Sequence, residues 1–495
     1  MGPGKTVLAV QEECFVVGRR RATGPSGTRR VWIAAISVVV VIALVVGGVL
    51  LWPKFFGSPS ESDAATGPSS AATSAPAATV PDPAVPKVKL ALGPLPKPAK
   101  AATADGVSKH VAGPAANPLL AEFSGIVLDG RTGKTLWSKD PDIPQLPAST
   151  AKLLTGAALL TSVDPSSRFT TKVVAGDTPG DVVLVGGGDV TLSARTENTP
   201  TVYQGAAHLS QLVDQLKARN VTVKRIVLDT SYWSGPELAQ GWDEADIGMG
   251  YITRMSALMV DGDRDDPANE YSPRTGDPAM TAGKAFARLL GSPSLPVVEG
   301  PAPADAQVLA QVQSQPMSIL LSQALINSDN VLAEALARQA SIGRGGPGSF
   351  DGATVAILEA LEKDLKIKTD GVQLVDGSGL STTDKIPPSV MAKVLAAAVS
   401  GKPATMRNLL PGLPVGGVSG TLARPDRFND AASAAGVGWV RAKTGSIGVT
   451  YDMAGYVPSV NNDLLVFAVT SNGVTVKTRS ALDAFATALR TCGCS

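Results

Sequence analysis

Ser149 and Lys152 stand three residues apart at the start of an apolar run, and two polar strings follow at long range, Ser328-Asp329-Asn330 and Lys443-Thr444-Gly445-Ser446. Together they supply a hydroxyl nucleophile, an amine to take its proton, a second hydroxyl, a second cation and an amide. That set suffices for acyl transfer through a covalent ester without a histidine. Each string alone is common. Ser, Asp and Asn are preferred helix caps, a surface lysine one turn on is unremarkable, and Lys-Thr-Gly also reads as a solvated edge strand. Their occurrence in this order, each on the element its role requires, points to a site. Burial of Lys152 among Ala151, Leu153 and Leu154 would lower its pKa toward neutrality, so that it can accept the Ser149 proton. Gly445 leaves room for a ligand backbone to approach the strand. The pattern requires the Ser149 hydroxyl to lie within bonding reach of both amines, Lys152 and Lys443.

The elements that must hold these groups are legible around them. Ala151 to Leu160 are good helix formers, which puts Ser149 in the first turn of a helix with Lys152 on the same face. An apolar helix over Ile319 to Ile326 stops at Asn327 and another starts at Val331, so Ser328 to Asn330 fall on a turn between two helices. Phe123 to Asp129, Gly130 to Gly133 and Thr135 to Ser138 predict a hairpin. Strands are expected over Trp439 to Thr444, Met453 to Val457 and Leu464 to Thr470, and a closing helix over Lys477 to Leu489. Helices at Ala353 to Asp364 and Pro388 to Ala398 fill the interval, and helical periodicity resumes near Val308. Strands at both ends with helices between them predict an α/β sandwich whose first and last parts pair. From about Thr170 to Pro303 the pattern changes to short strands, a glycine-rich turn at Gly186 to Gly188 and a helix over Ala206 to Ala218. This predicts an inserted α+β domain, with its polar tail Asp261 to Asp277 as loop.

At 495 residues and 44% hydrophobic content, the chain can bury more than one core. Its 44 basic and 43 acidic residues give a net charge of +1, which leaves no electrostatic footprint for nucleic acid. Ile33 to Leu51 is an uncharged run long enough to span a bilayer, and Arg19, Arg20, Arg21, Arg29 and Arg30 before it place the N-terminus inside. A cleaved signal is the alternative, but the length of the run and Trp52-Pro53-Lys54 after it favour an uncleaved anchor. Pro53 to about Pro118, rich in Pro, Ala, Ser, Thr and Lys, reads as a disordered tether carrying His110 as a solvated histidine. Cys14 falls on the inner side. Cys492 and Cys494 can bridge each other, bridge another chain or stay reduced, and are expected on a frayed tail.

Other strings carry no chemistry. Gly4-Lys5-Thr6 lacks the preceding strand and first glycine of a phosphate loop. Asp261, Asp263 and Asp265 alternate like calcium ligands, but Asp266 stands where that loop needs glycine and Ser272 where it needs glutamate, so no metal is expected. His208 has no legible triad around it, which argues against a Ser-His-Asp hydrolase.

The three strings, with Leu184 to Asp189, Ser328 to Glu334, Asp376 to Ser381, Gly420-Thr421-Leu422 and Ala442 to Ser446, resemble the class C low-molecular-mass penicillin-binding proteins, the D-alanyl-D-alanine carboxypeptidase/endopeptidase type. The resemblance covers roughly Leu120 to Arg490. It implies an α/β serine penicillin-recognising (transpeptidase-like) fold, an α/β sandwich plus a helical subdomain, with the inserted α+β domain. The expected divisions are a cytoplasmic segment 1–32, a transmembrane helix 33–52, a tether 53–118, a catalytic domain 119–170 and 304–495, and an accessory domain 171–303. The implied activity is serine D-Ala-D-Ala carboxypeptidase action on peptidoglycan stem peptides, with endopeptidase action as a second use of the same site. β-Lactams would act as inhibitors, and no cofactor is needed. Carried over by position, Ser149 attacks, Lys152 accepts its proton and Ser328 relays a proton to the leaving D-alanine. Asn330 orients the peptide, Lys443 adds positive potential, and Thr444, Gly445 and Ser446 hold the substrate, whose oxyanion meets the N–H groups of Ser149 and Ser446. The Asp376 to Ser381 turn is expected to give structural support near the cleft. The enzyme would sit on the plasma membrane as a single-pass protein with its catalytic domain outside. A β-lactamase-like hydrolase would differ by rapid penicillin turnover. A non-catalytic wall-binding scaffold would keep Ser149 yet neither take up penicillin nor release D-alanine.

Overall fold

The computed structural model describes residue 98 and residues 100–475 and 477–495. The expected cytoplasmic segment, the membrane span 33–52 and the tether as far as residue 97 lie outside the described residues. Among those described, no helix is long and apolar enough to cross a membrane.

The last part of the expected tether is helical: α1 spans Ala104–Ala115, capped by the Thr103 hydroxyl, which accepts from the Gly106 N–H. Its composition hides this, because only Val107 and Val111, one turn apart, are buried. His110 is exposed on this helix, 3.1 Å from the Thr491 hydroxyl.

After α1 come β1 (Glu122–Asp129), β2 (Thr135–Lys139), a tight turn at Ala148–Ala151 and α2 (Lys152–Ser162). A second group follows, β3 (Thr170–Ala175), β4 (Asp181–Val185), α3 (Leu209–Ala218), β5 (Arg225–Asp229), α4 (Pro278–Leu289), β6 (Val297–Glu299) and β7 (Val308–Gln313). The chain then runs through α5 (Met317–Ile326), α6 (Asn330–Gly343), α7 (Phe350–Glu359) and α8 (Pro388–Ser400). It finishes with β8 (Arg441–Ile447), β9 (Thr450–Pro458), β10 (Leu464–Asn472) and α9 (Thr478–Thr491).

The first sheet has the order β2-β1-β10-β9-β8. Its centre is the antiparallel pairing of β1 with β10, from Glu122 opposite Asn472 to Asp129 opposite Leu465. Both strands are buried on two faces and alternate between two cores. Ile126, Leu128, Val466 and Ala468 face α2 and the helices from α5 to α8. Val127, Leu465, Phe467 and Val469 face α9 and α1. The second sheet, β6-β5-β4-β3-β7, has β4, β5 and β6 parallel and β3 antiparallel to both its neighbours, over a core shared with α3 and α4.

Two expectations change here. Val308–Gln313 is strand β7, not helix: Ala310 and Val312 alternate inward, a two-residue period too short to separate from helical spacing by sequence alone. The C-terminal tail is not frayed. Cys492 and Cys494 form a disulfide and are both buried, and the Cys494 carbonyl accepts the Thr103 N–H at 2.9 Å.

Candidate functional site

The tight turn Ala148–Ala151 delivers Ser149 half-exposed at the head of α2, and the next turn buries Lys152 at 1% exposure. The Lys152 ammonium makes three hydrogen bonds: 3.0 Å to the Ser149 hydroxyl, 2.7 Å to Asn330 Oδ1 and 2.7 Å to the Ser378 carbonyl. Burial lowers its pKa to about 8, an effect that the charges of Asp376, Glu334 and Asp329 partly offset.

Lys443, 0% exposed on β8, gives its ammonium to the Ser328 hydroxyl at 2.9 Å and to the Thr444 carbonyl at 2.8 Å. Burial, then the positive charges of Lys152 and Arg424, hold its pKa well below the usual lysine value. The structure therefore pairs each serine with one lysine. Lys443 meets Ser328 rather than Ser149, which corrects the expectation that both amines reach the nucleophile. The hydroxyls of Ser149, Ser328 and Thr444 stay partly exposed while both amines are buried behind them.

Ser328 has φ +57°, a left-handed conformation that costs a non-glycine residue stability and persists only where its neighbours enforce it. The enforcement comes from Asp329 and Asn330. Asp329 caps α6 by accepting the Leu332 N–H at 2.9 Å; it also receives Arg264 Nη2 and the Tyr203 hydroxyl, each at 2.8 Å. Asn330 donates to the Tyr251 carbonyl at 3.0 Å. The Asp261 to Asp277 tail is loop, yet Asp261, Asp263, Arg264, Ser272 and Arg274 are buried in it, and Arg274 donates to the Gly250 carbonyl beside Tyr251. Residues between the strands of the second sheet thus brace the Ser328 turn.

β8 is the edge strand of the first sheet. Pro414 covers its start by accepting the Ala442 N–H. Thr444 shares a 2.7 Å hydrogen bond with Thr421, and Ser446 is exposed. Gly445 faces inward: a Cβ there would lie 2.7 Å from the Pro147 carbonyl and 2.8 Å from Asp452 Oδ2. Its glycine is required by the turn that carries Ser149, a different reason from room for a ligand.

The Asp376 to Ser381 turn also reaches the site. Asp376 accepts from the N–H groups of Ser378, Gly379 and Ser381 and from Trp242 Nε1, and the turn aims the Ser378 carbonyl at Lys152. Gly379, at φ +77°, packs against the Ala148 carbonyl, which no side chain could tolerate. Sequence reasoning placed this turn near the cleft without the Lys152 contact, and it missed Arg264, Tyr203 and Tyr251. The density of Asp and Arg over Asp261 to Arg274 was the only local signal.

Two serine–lysine pairs at the head of a buried helix and on the edge of a five-stranded sheet define a serine acyl-transfer enzyme of the penicillin-recognising class. Residues 107–282 and 263–489 match the D-Ala-D-Ala carboxypeptidase 3 (S13) family. The chain is 41% identical over 472 residues to carboxypeptidase DacB of Mycolicibacterium smegmatis, covering 95% of this chain and 99% of the relative. It is 29% identical over 430 residues to a D-alanyl-D-alanine carboxypeptidase of Actinomadura sp., covering 70% and 77% respectively. The crystal structure of penicillin binding protein 4 (dacB) from Haemophilus influenzae shares the fold, with TM-score 0.62 at 20% identity over 78% of this chain and 97% of that one. The chain belongs to the S13 family and is a serine-type D-Ala-D-Ala carboxypeptidase acting on peptidoglycan.

Proposed function

We propose that Ser149 is the nucleophile that opens the terminal D-Ala-D-Ala bond of a peptidoglycan stem peptide and that Lys152 is its base. The arrangement around the Lys152 amine carries this reading. A neutral amine has two N–H bonds and one lone pair. Asn330 Oδ1 and the Ser378 carbonyl, both at 2.7 Å, can only accept, so they take the two N–H bonds and leave the lone pair directed at Ser149, 3.0 Å away. An amine with a pKa near 8 is then a base suited to neutral pH.

Ser149 Oγ attacks the carbonyl as its proton passes to Lys152; the ester forms and the C–N bond to D-alanine breaks. Ser328, polarised by Lys443, delivers a proton to the departing amine. Asn330 orients the peptide by its amide, and Thr444, Gly445 and Ser446 hold it along the open part of β8, with the Thr444 and Ser446 hydroxyls on the substrate carboxylate. Backbone N–H groups at Ser149 and Ser446 receive the oxyanion, each worth about 3 kcal/mol to the transition state. Water hydrolyses the ester. A β-lactam acylates the same serine and leaves slowly. The substrate is extracytoplasmic, which fits a single-pass anchor at residues 33–52 holding the catalytic part outside the plasma membrane.

Mass spectrometry after incubation with a fluorescent penicillin, alongside a D-alanine release assay on a stem peptide, tests the reading. One adduct on the Ser149 peptide is expected, and Ser149→Ala should lose both signals while staying folded. An adduct retained by Ser149→Ala would put the nucleophile elsewhere. A cross-linked muropeptide in the same assay reads whether the enzyme also cuts cross-links.

A further inference from the structure

Behind Lys152 lies a group of buried carboxyls that the chemistry above does not use: Glu334, Asp376 and Asp384, each 0% exposed. Glu334 lies four residues after Asn330 on α6, so both project from one face of that helix. Its two oxygens receive the Gly377 N–H at 2.9 and 3.1 Å. The Gly377 carbonyl accepts the Thr155 hydroxyl at 2.5 Å, and the next carbonyl, that of Ser378, accepts Lys152. Gly377 is closely packed at this point: a Cβ there would lie 2.5 Å from Ala337 Cβ and 3.3 Å from Glu334 Oε2, so only glycine fits. One helical face therefore sets both acceptors of the Lys152 amine, Asn330 directly and Ser378 by way of Glu334.

We propose that Glu334 is a positioning residue for Lys152, acting through the Gly377–Ser378 peptide and through its own charge. The proposal rests on the reading of Lys152 as the base. The charged groups facing Glu334 are Arg338 one turn along α6, Asp376 on the turn and Lys152 on α2, with Asp384 beside Asp376 and Asp329 at the head of α6. Burial and then Asp376 push the Glu334 carboxyl up to about 8, the range in which Lys152 itself titrates. An ionised Glu334 favours the ammonium form of Lys152, and removing that charge frees the amine at lower pH.

The test is the second-order rate of acylation by a fluorescent penicillin, followed from about pH 5 to about pH 10 for the parent, Glu334→Gln and Glu334→Ala. Glutamine keeps an oxygen for the Gly377 N–H and cannot ionise, so its rate plateau stays within a few-fold of the parent. Because Glu334 is only part-ionised where Lys152 titrates, the acid limb of its profile moves down by roughly half a pH unit. Alanine releases the turn and slows acylation about tenfold or more, with the glutamine variant as its rescue. A Glu334→Gln profile superimposed on the parent's, or moved upward, overturns the proposal, as does parent-like acylation by Glu334→Ala. Should the alanine variant fail to fold, the glutamine profile decides alone. A parent that takes up no penicillin at any pH overturns the reading of Ser149 and Lys152 instead, which keeps the two failures distinct.

Discussion

Asp329 and Glu334 are carboxyls five residues apart at the head of one helix, both fully buried, yet their surroundings drive them in opposite directions. Burial pushes Asp329 up, but the Arg264 and Arg274 guanidiniums and the Leu332 N–H outweigh it and hold the carboxyl well below the usual carboxylate range. Glu334 has burial and Asp376 against it, opposed by Arg338 and the Gly377 N–H, and rises to about 8. The lesson is that a full guanidinium contact at 2.8 Å reverses the desolvation penalty, whereas backbone N–H groups and a more distant arginine do not. One carboxyl is a fixed anion that anchors the Ser328 turn. The other is poised to change charge beside Lys152.

The contrast can be broken from its stronger side first. Arg264→Met leaves a buried carboxylate without its partner and should cost about 3–5 kcal/mol of stability near neutral pH, together with most of the penicillin labelling. A denaturant titration reads the first, and an unchanged midpoint would mean that Asp329 simply takes up a proton. Glu334→Gln should act with the opposite sign. The folded value of about 8 lies above the ordinary glutamate value of about 4.3. The stabilising contribution of the protonated group is therefore complete below about 4.3 and is lost as pH rises through about 8, whereas glutamine loses nothing. At about 1.4 kcal/mol per unit of difference between the two values, the variant should gain up to about 5 kcal/mol over the parent across that window, and parallel stability curves would deny the shift. Tyr203→Phe removes one hydrogen bond to Asp329 and should cost about 1.5 kcal/mol with the pair to Arg264 intact. A larger loss would make Tyr203 more than an auxiliary donor.

The two serine–lysine pairs were readable as candidates because each of their residues sits in a string of three or four whose local structure follows from capping and glycine. The pairing of the first and last strands was also readable, since Ile126, Leu128, Val466 and Ala468 lie in continuous apolar runs flanked by turns. What was not readable depends on contacts made at a distance. Arg264 reaches Asp329 across 65 positions and Tyr203 across 126, and no local period marks either. Trp233, Trp242, Ile252, Met255 and Met259, within the expected insertion 171–303, share one core with Leu153 and Leu154 of α2, a contact that no local pattern announces. Helix α1 was hidden by composition, because its stability comes from packing two valines against α9 and α9's neighbours and not from helix propensity.

The hydrogen bond from Thr103 to Cys494 has a practical meaning of its own. It brings the incoming and outgoing backbone of the catalytic region to one spot, 391 residues apart in sequence. A short artificial link there would allow circular permutation, with new termini opened at an exposed loop. A reporter fused after Ser495 would sit at the root of α1.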